Sequence, residues 1–335
     1  MNKKDQVLGI SNAIVDILAH VDEAFLAAVG APRGSMTLID EVRAHEIYGM
    51  MGPATEMSGG SVANTVANFA SLGGRAAYIG RVKADQLGEI FVHDMRALGV
   101  DVRVAPVPVG SPTARSHILI TPDGQRTMQT YLGACTELGV ADISERTVGS
   151  PDVVLLEGYV WDIAEGPALI AKAVSIAKSK SAKIALSLSD SFCVERHRKE
   201  FLEAIGTDID MIFADDDEVM ALLGVATFDD VVRAVPQFDR LFVMTRSEKG
   251  SVIMDRTQKI EQSAIPVEKV VDTTGAGDAY TAGFLSGLTS GRSLAECARL
   301  GTECGTAVIQ RVGARISRVA GASPESDLGV AGVGP

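Results

Sequence analysis

Apolar and polar positions alternate in two different ways along this chain of 335 residues. After residue 151, four short apolar runs are separated by stretches with helical spacing. The apolar runs are 153–156, 184–188, 211–214 and 241–245, and the clearest helical stretches are 166–178 and 194–205. Strands that alternate with helices in this way are typical of βαβ units. With a first apolar run at residues 7–10, the pattern predicts an α/β fold on a mostly parallel central sheet.

The segment from residue 101 to residue 133 has a different pattern of short strands. Its runs 116–120 and 125–131 flank Asp123-Gly124, and an Asp-Gly pair in that position is a strong hairpin signal. Short runs near residues 14 and 36 have similar character. We expect a small separate sheet that forms a lid over the ligand site. Its segments are predicted near 12–20, 33–40, 101–120 and 125–133.

Two glycine turns each precede a helical stretch. Gly59 and Gly60 lead into a helix that stops at residues 73–74. Further on, Val270-Val271 is predicted as the end of a strand, residues 272–278 as a loop, and the following residues as a helix. N–H groups at a helix start lack partners, and the helix dipole is positive there. The turn at residues 275–277 can therefore hold an anion such as phosphate.

Three polar residues near these turns have two interpretations each. Asp278 either complements the helix dipole or takes a proton from a hydroxyl that attacks a phosphoryl group. Asn64 either satisfies backbone groups or binds a substrate hydroxyl. Asp16 either caps a turn or accepts hydrogen bonds from ligand hydroxyls. The residues alone leave these alternatives open.

Composition limits the function classes. At 46% apolar residues the chain can form one large domain, which we place at residues 1–320, followed by a flexible tail at 321–335. The net charge of -12 argues against nucleic acid as a partner. The sequence offers neither a secretion signal nor an apolar run that could span a membrane. The four cysteines show no metal-ligand spacing and are expected to be reduced. We therefore expect a cytoplasmic protein.

Both turns together resemble motifs of the ribokinase or PfkB family of sugar and nucleoside kinases. Asp272-Thr273-Thr274-Gly275-Ala276-Gly277-Asp278 is similar to the family's C-terminal motif, and Gly59-Gly60-Ser61-Val62-Ala63-Asn64 to its N-terminal motif. Segments 12–17, 35–40, 127–134 and 156–162 are most similar to bacterial adenosine-kinase-like members. The resemblance implies a ribokinase-like three-layer αβα domain with a β-sheet lid. It also implies an ATP-dependent kinase acting on a nucleoside, foremost the 5′-hydroxyl of adenosine, with a ribose- or fructose-type sugar kinase as the alternative.

The resemblance also implies roles for individual residues. Asp278 would be the catalytic base, and the amides of Gly275, Ala276 and Gly277, with its own, would bind the transferring phosphoryl group. Asp16, Asn64, Asn12 and the Gly59-Gly60 turn would hold the acceptor hydroxyls. Met36 and Leu132 would supply apolar lid contacts, and Arg126 would reach the phosphates.

Nucleotide and metal contacts follow from the same resemblance. ATP would contact Thr245, Ser247 and Gly250, together with Thr274, Gly275 and Gly277. Mg²⁺ would be held through water by Asp215 and Glu218. A monovalent cation such as K⁺ has a candidate site at Asp272, Thr274, Val308, Arg311, Gly313 and Ser317.

One stretch departs from the family pattern. The family's Asn-x-x-Glu motif stands here as Asp215-Asp216-Asp217-Glu218. The extra carboxylate could tighten the divalent ion or change which ion is preferred. For Asp216 and Asp217 the alternative is a solvated acidic loop before a helix at residues 218–223.

Other classes of protein explain less of the sequence. A dinucleotide-dependent oxidoreductase would need a third glycine where Tyr280 stands. The chain has neither the Gly-Lys-Ser/Thr of a P-loop kinase nor the His-Arg-Asp loop of a protein kinase. A nucleotide-sensing module would be suspected if Asp278 were missing, and it is present. The expected partners are a small nucleoside or sugar, with no nucleic acid and no membrane, in a monomer or a homodimer through the lid.

Overall fold

Fourteen strands divide between two sheets in residues 4–316, the part of the chain that this computed structural model describes. The strands are β1 (Val7–Ile10), β2 (Ile14–His20), β3 (Met36–Leu38), β4 (Thr55–Gly59), β5 (Ala76–Ile79), β6 (Val100–Val102), β7 (Ala114–Ile120), β8 (Arg126–Tyr131), β9 (Val153–Glu157), β10 (Lys183–Ser187), β11 (Met211–Asp215), β12 (Leu241–Thr245), β13 (Ser251–Met254) and β14 (Lys259–Gln262).

Eleven α-helices connect these strands within the same residues. The helices are α1 (Glu23–Ala28), α2 (Glu41–Met50), α3 (Ser61–Ser71), α4 (Gln86–Ala97), α5 (Glu145–Val148), α6 (Gly166–Ser179), α7 (Ser191–Thr207), α8 (Asp216–Leu223), α9 (Phe228–Ala234), α10 (Ala276–Thr289) and α11 (Leu294–Ile309). Among the residues described, no helix combines the length and the apolar character that crossing a membrane requires.

The central sheet has nine strands in the order β14-β13-β12-β11-β10-β9-β1-β5-β6. All its pairings from β12 to β6 are parallel, and β13 and β14 extend it antiparallel. Strands β9 to β12 coincide with the four apolar runs in the sequence. Their side chains are buried on both faces because helices cover the sheet on each side.

The two faces of the sheet belong to different hydrophobic cores. Val7 shares one core with Val66 of α3 and Phe284 of α10. Leu8, the next residue along β1, shares the other with Leu169 of α6 and Phe201 of α7. This alternation along one strand gives a three-layer αβα arrangement, with α3 and α10 on the same side.

The second sheet has five strands in the order β3-β8-β7-β2-β4, and we call it the lid sheet. It contains the hairpin of β7 and β8 that Asp123-Gly124 predicts. Two details differ from the prediction. Strand β4 was not predicted, and Val100–Val102 pairs with β5 in the central sheet instead of joining the lid. Val100 and Val102 are buried, which explains why this short strand completes the core.

Two connections between the lid sheet and the αβα domain lie close together. Residues 11–13 link β1 to β2, and Gly60 alone separates β4 of the lid from α3. Gly60 has φ +95°, and a Cβ there would lie 2.6 Å from the carbonyl oxygen of Asn12. Only glycine fits this junction without displacing the chain.

The strand predicted at Val270 and Val271 is wrong. Both side chains are exposed, at 50% and 38%, and the segment has no strand partner in the described part of the chain. The N–H groups of Val271 and Asp272 instead donate to the carbonyl of Ile309, at 2.8 and 3.2 Å. The predicted tail at 321–335 lies outside the described residues.

Candidate active site

Polar residues follow several parallel strands at one edge of the central sheet. Asn12 follows β1, Glu157 ends β9, Asp215 ends β11 and Thr245 ends β12. The carboxyl ends of parallel strands form the crevice in which such sheets bind their ligands. Because β1 continues into β2, the lid sheet begins at this same edge.

Asp278 lies in the first turn of α10 and contacts α3, which comes from the first quarter of the chain. The Ser61 hydroxyl donates to Oδ1 of Asp278 at 2.7 Å, and Nδ2 of Asn64 donates to Oδ2 at 3.3 Å. Burial raises the pKa of Asp278 to about 6, while these two hydrogen bonds and the charge of Arg315 oppose the rise. Such a carboxyl is ionised at neutral pH and can still accept a proton.

The turn that precedes α10 presents free N–H groups. Gly275 has φ +73°, and a Cβ there would lie 2.4 Å from the Cβ of Ala314, so the turn requires glycine. Within the described residues, the N–H groups of Gly275, Gly277 and Asp278 have no acceptor. Ala276, predicted as a fourth donor, instead donates to the carbonyl of Thr273 at 3.2 Å. Three N–H groups at a helix start therefore remain available to an anion.

Asp16 lies on β2, next to the glycine turn that precedes α3. A Cβ on Gly59 would lie 2.3 Å from Oδ2 of Asp16, so the glycine makes room for this carboxylate. Burial raises the pKa of Asp16 to about 7, the charges of Arg315 and Arg126 oppose the rise, and Asp278 adds to it. A partly exposed carboxylate in this position can accept hydrogen bonds from two ligand hydroxyls.

Glu157 is a buried carboxylate for which the sequence predicts no role. Its Oε2 accepts from the N–H of Asn12 at 2.9 Å and its Oε1 from the N–H of Val62 at 3.2 Å, so it joins the end of β1 to the start of α3. Burial raises its pKa to about 7. The signal was a lone charged residue at the end of an apolar strand. Oδ1 of Asn12 is buried and has no partner among the described residues, which leaves it available to a ligand.

The register of the lid sheet aligns a polar row with Asp16. Asp16 pairs with Ser116, Ser116 with Thr130, and Thr130 with Leu38. Residues directly opposite each other project from the same face of a sheet. Ser116 and Thr130 are buried, and their hydroxyl oxygens are 2.8 Å apart. Neither residue was predicted, because a hydroxyl in a β-rich stretch gives no functional signal by itself.

An apolar row lies beside the polar one on the same face. It consists of Leu18, Ile118, Met128 and Met36. Met36, predicted as a lid contact, is on the edge strand and 45% exposed. Leu132, the other predicted contact, directly follows β8 and is half-buried. The lid therefore offers an apolar surface next to hydroxyl and carboxylate groups.

Arg126 lies on the lid hairpin, but its guanidinium forms an ion pair with Asp272. This contact differs from the predicted contact with phosphates. Asp272 is buried, and it also accepts from the N–H groups of Gly313 and Thr274 at 2.8 and 3.0 Å. The ion pair therefore ties the lid to the loop that precedes the Gly275 turn.

Asp272 was also predicted to contact a monovalent cation, but its carboxylate already bonds to Arg126, Gly313 and Thr274. The carbonyl of Val308 accepts from the N–H of Arg311 at 3.1 Å, and Ser317 lies outside the described residues. Residues 4–316 contain no group of three or more His, Cys, Asp or Glu side chains that could hold a metal ion.

The acidic stretch after β11 caps its own helix. Oδ1 of Asp215 accepts from the N–H of Glu218 at 2.8 Å, and Oε2 of Glu218 accepts from the N–H of Asp215 at 2.9 Å. Helix α8 consequently begins at Asp216, two residues before the predicted start. Burial raises the pKa of Glu218 to about 8, with further contributions from Asp215, Asp190 and Asp278. Clustered carboxylate oxygens that repel one another suit a hard cation such as Mg²⁺.

The predicted nucleotide loop adjoins this stretch because Thr245 pairs with Asp215 across β11 and β12. The loop turns tightly, with φ +47° at Ser247 and +83° at Gly250. The guanidinium of Arg246 lies 3.7 Å from the centre of the Phe228 ring, which fixes one side of the loop. The structure therefore places Thr245 next to Asp215, with Ser247 and Gly250 in the turn that follows.

Three comparisons with known proteins bear on this geometry. Residues 38–320 match the model of the family described as pfkB family carbohydrate kinase. The chain belongs to this family. The structure of adenosine kinase from Sinorhizobium meliloti is 48% identical, with 93% of this chain and 96% of that chain covered and a TM-score of 0.87. A probable sugar kinase protein from Rhizobium etli is 42% identical, with 97% and 99% covered and a TM-score of 0.89. A cytidine kinase of Thermococcus kodakarensis is 25% identical, over 78% of this chain and 91% of its own.

Family membership confirms the predicted ribokinase-like fold and the prediction of a phosphotransferase with an alcohol group as acceptor. It also implies ATP as the phosphate donor and, as is typical of the family, Mg²⁺. The roles of the individual site residues stay predictions.

Proposed function

We propose that this protein is an ATP-dependent kinase that transfers the γ-phosphoryl group to the 5′-hydroxyl of a nucleoside, with adenosine as the acceptor. One observation carries the proposal: Ser61 and Asn64 hold the carboxylate of Asp278 beside free N–H groups at the start of α10. A proton acceptor and an anion site at one point of a cleft are what phosphoryl transfer needs from a protein.

In the proposed reaction, the hydroxyl oxygen of the acceptor forms a bond to the γ-phosphorus. At the same time, Asp278 takes the proton from that hydroxyl. The bond between that phosphorus and the bridging oxygen breaks, and ADP leaves with the electron pair. A positioned base contributes roughly 10²–10⁴-fold to such a rate. The N–H groups of Gly275, Gly277 and Asp278 stabilise the charge on the transferring group, at about 3 kcal/mol for each well-placed donor.

The acceptor's sugar is assigned to the region between Asp16 and Asn64. The carboxylate of Asp16 can accept from a ribose diol, and the unpartnered Oδ1 of Asn12 offers a further acceptor. With the diol held at the lid, the primary hydroxyl extends toward Asp278. This arrangement serves a furanose ring, whether or not a base is attached.

The apolar row of the lid favours a nucleoside over a free sugar. Leu18 and Met128 are partly exposed beside Ser116 and Thr130, and a planar base covers such a surface better than a second polar ring does. The 48% identity to an adenosine kinase supports adenosine in particular. The 42% identity to a probable sugar kinase makes a sugar acceptor the alternative outcome of the test.

Asp215 and Glu218 are the residues that would hold Mg²⁺ through water. When bound, the ion neutralises phosphate charge during transfer. Their backbone capping bonds leave carboxylate lone pairs free for water. A need for K⁺ is a separate expectation, which replacing K⁺ by Na⁺ in the same assay would test.

The test is ADP release with ATP and a panel of acceptors: adenosine, cytidine, guanosine, ribose and fructose. We expect kcat/KM to be highest for adenosine and at least about tenfold lower for ribose, because ribose lacks contact with the lid's apolar row. A preference for ribose or fructose would replace the nucleoside by the sugar alternative. ATP binding without turnover of any acceptor would overturn the proposed function in favour of a nucleotide-sensing module.

A further inference from the structure

The segment that follows α11 is fixed against α3. Nδ2 of Asn68 donates to the carbonyl of Ala314 at 3.0 Å, and Oδ1 of Asn68 accepts from the N–H of Ile316 at 2.8 Å. Asn68 is fully buried and lies one helical turn after Asn64. The side chain of Arg315, between the two bonded residues, is thereby directed to the start of α3.

The guanidinium of Arg315 contacts the residues next to Asp278. Its Nε donates to Oδ1 of Asn64 at 3.1 Å, and its Nη1 donates to the hydroxyl oxygen of Ser58 at 2.7 Å. Arginine can only donate hydrogen bonds, so it contacts the oxygen end of the amide. The nitrogen end of Asn64 must then point to Asp278, where it donates to the carboxylate. Arg315 therefore determines the orientation of the Asn64 amide.

The same network extends to helix α4. Oδ2 of Asp94 accepts from the N–H and the hydroxyl of Ser58 at 3.0 and 3.4 Å. A continuous series of hydrogen bonds thus runs from Asp94 through Ser58, Arg315 and Asn64 to Asp278. Each residue in the series donates to or accepts from the next one, and this favours one arrangement of the group.

The positive charge of the guanidinium also acts on two carboxylates of the cleft. Its charge lowers the pKa of both Asp16 and Asp278, against the larger effect of burial. The other titratable groups that act on Asp278 or respond to it are Asp16 of β2, Glu157 of β9 and Glu218 of α8, and all of them are acidic. Without Arg315, Asp278 would face these carboxyls and lose the cation that lowers its pKa.

We propose that Arg315 is a positioning residue for the reaction: it fixes the Asn64 amide so that Asp278 is held as an oriented, ionised base. The role, which rests on the proposed function, is exerted through Asn64 and through charge, and Arg315 itself need not touch the acceptor or ATP. It adds to the cleft a residue that the sequence motifs do not contain.

The experiment compares Arg315→Gln and Arg315→Lys, each alone and with Asn64→Ala. For Arg315→Gln we expect kcat to fall about 10- to 100-fold, since small displacements of a reacting group have effects of this size. In the Asn64→Ala background the same change should cost at most about threefold, because the amide it orients is gone. Arg315→Lys should keep the positive charge but no longer orient the Asn64 amide. Its kcat should therefore fall, while the acid limb of its pH profile stays in place.

A second measurement does not depend on the acceptor. Carbon-13 NMR of aspartate side chains follows the titration of Asp278, assigned by the signal that Asp278→Asn removes. In Arg315→Gln the titration midpoint should rise by about one pH unit, because an adjacent arginine typically lowers an aspartate by one to three. Arg299→Gln, which removes a half-exposed ion pair with Glu303 on α11, is the matched control and should leave midpoint and kcat unchanged.

Equal losses in both Asn64 backgrounds, or an unchanged Asp278 midpoint in Arg315→Gln, would overturn the proposal. If Arg315→Gln does not fold, Arg315→Lys tests the proposal instead. Its kcat should fall while the acid limb of its pH profile stays at the wild-type position. A protein that phosphorylates no acceptor refutes the proposed function alone, since the NMR titration still reports whether Arg315 acts on Asp278.

Discussion

Replacing Asp278 by Asn separates catalysis from stability in this cleft. The amide has the shape of the carboxylate, so its oxygen can accept from Nδ2 of Asn64 and its nitrogen can donate to Ser61, whose hydroxyl rotates freely. The hydrogen-bond network described for Asp278 is therefore preserved. What is lost is the group that accepts a proton, and what is gained is the removal of a buried charge.

Loss of the base should reduce kcat by roughly 10²–10⁴-fold, or about 3–5 kcal/mol of activation free energy. Burial raises the pKa of Asp278 from 3.8 to about 6, and this costs the folded state about 3 kcal/mol at pH 8. Because Asp278 is partly exposed, screening by solvent reduces that figure to roughly 1–2 kcal/mol.

The sign of the pH dependence follows from the direction of the shift. Because the folded-state pKa lies above the unfolded one, the wild-type carboxyl favours folding only at low pH, and this contribution disappears as pH rises through about 6. The Asn variant has no such dependence. It should be more stable than the wild type at pH 8, with an advantage about half as large at pH 5.

The assays are coupled ADP release and urea unfolding at pH 5 and pH 8. Asp229→Asn, which changes an exposed carboxylate in the first turn of α9, is the matched control and should alter neither quantity. A variant that keeps more than a tenth of the activity would refute the assignment of the base. A variant that is less stable than the wild type at pH 8 would refute the account of burial.

Three further substitutions test other parts of the cleft. Gly59→Ala would place a Cβ 2.3 Å from the Asp16 carboxylate, so KM for the acceptor should rise at least about tenfold, and an unchanged KM would show that Asp16 does not hold it. Thr130→Val removes a hydroxyl at nearly constant volume and should lower kcat/KM for adenosine by about 10-fold relative to ribose; equal losses for both acceptors would place the hydroxyl away from the base. Asp215→Asn keeps the helix cap, so stability should change by less than about 0.5 kcal/mol, while the Mg²⁺ concentration for half-maximal rate rises. An unaltered Mg²⁺ requirement would remove Asp215 from the metal's surroundings.

Features with local causes were predictable from the sequence. Asp123-Gly124 gives the hairpin because the turn itself selects that conformation, with φ +84° at Gly124. Strands β9 to β12 were found because each is an uninterrupted apolar run. The contact of Asp278 with Asn64 was expected only because two motifs, more than 200 residues apart, resemble those of one family.

Features with distant causes were not predictable. Strand β4 has the polar sequence Thr-Glu-Met-Ser-Gly, and it is a strand because β2 supplies its partner. Val270 and Val271 have high strand propensity, yet their segment bonds to the end of α11 and no strand lies beside it. Arg315 shows no local pattern, since its role depends on Asn68, which fixes its backbone from across the fold.

The single residue between β4 and α3 has a mechanical consequence. Because only Gly60 separates them, β4 of the lid sheet and α3, which carries Ser61 and Asn64, cannot move far relative to each other. A tilt of the lid sheet must turn the first residues of that helix, and with them the two hydrogen bonds to Asp278. Crystal structures with and without an acceptor should therefore show that the angle of the lid sheet and the side-chain rotamer of Asp278 change together.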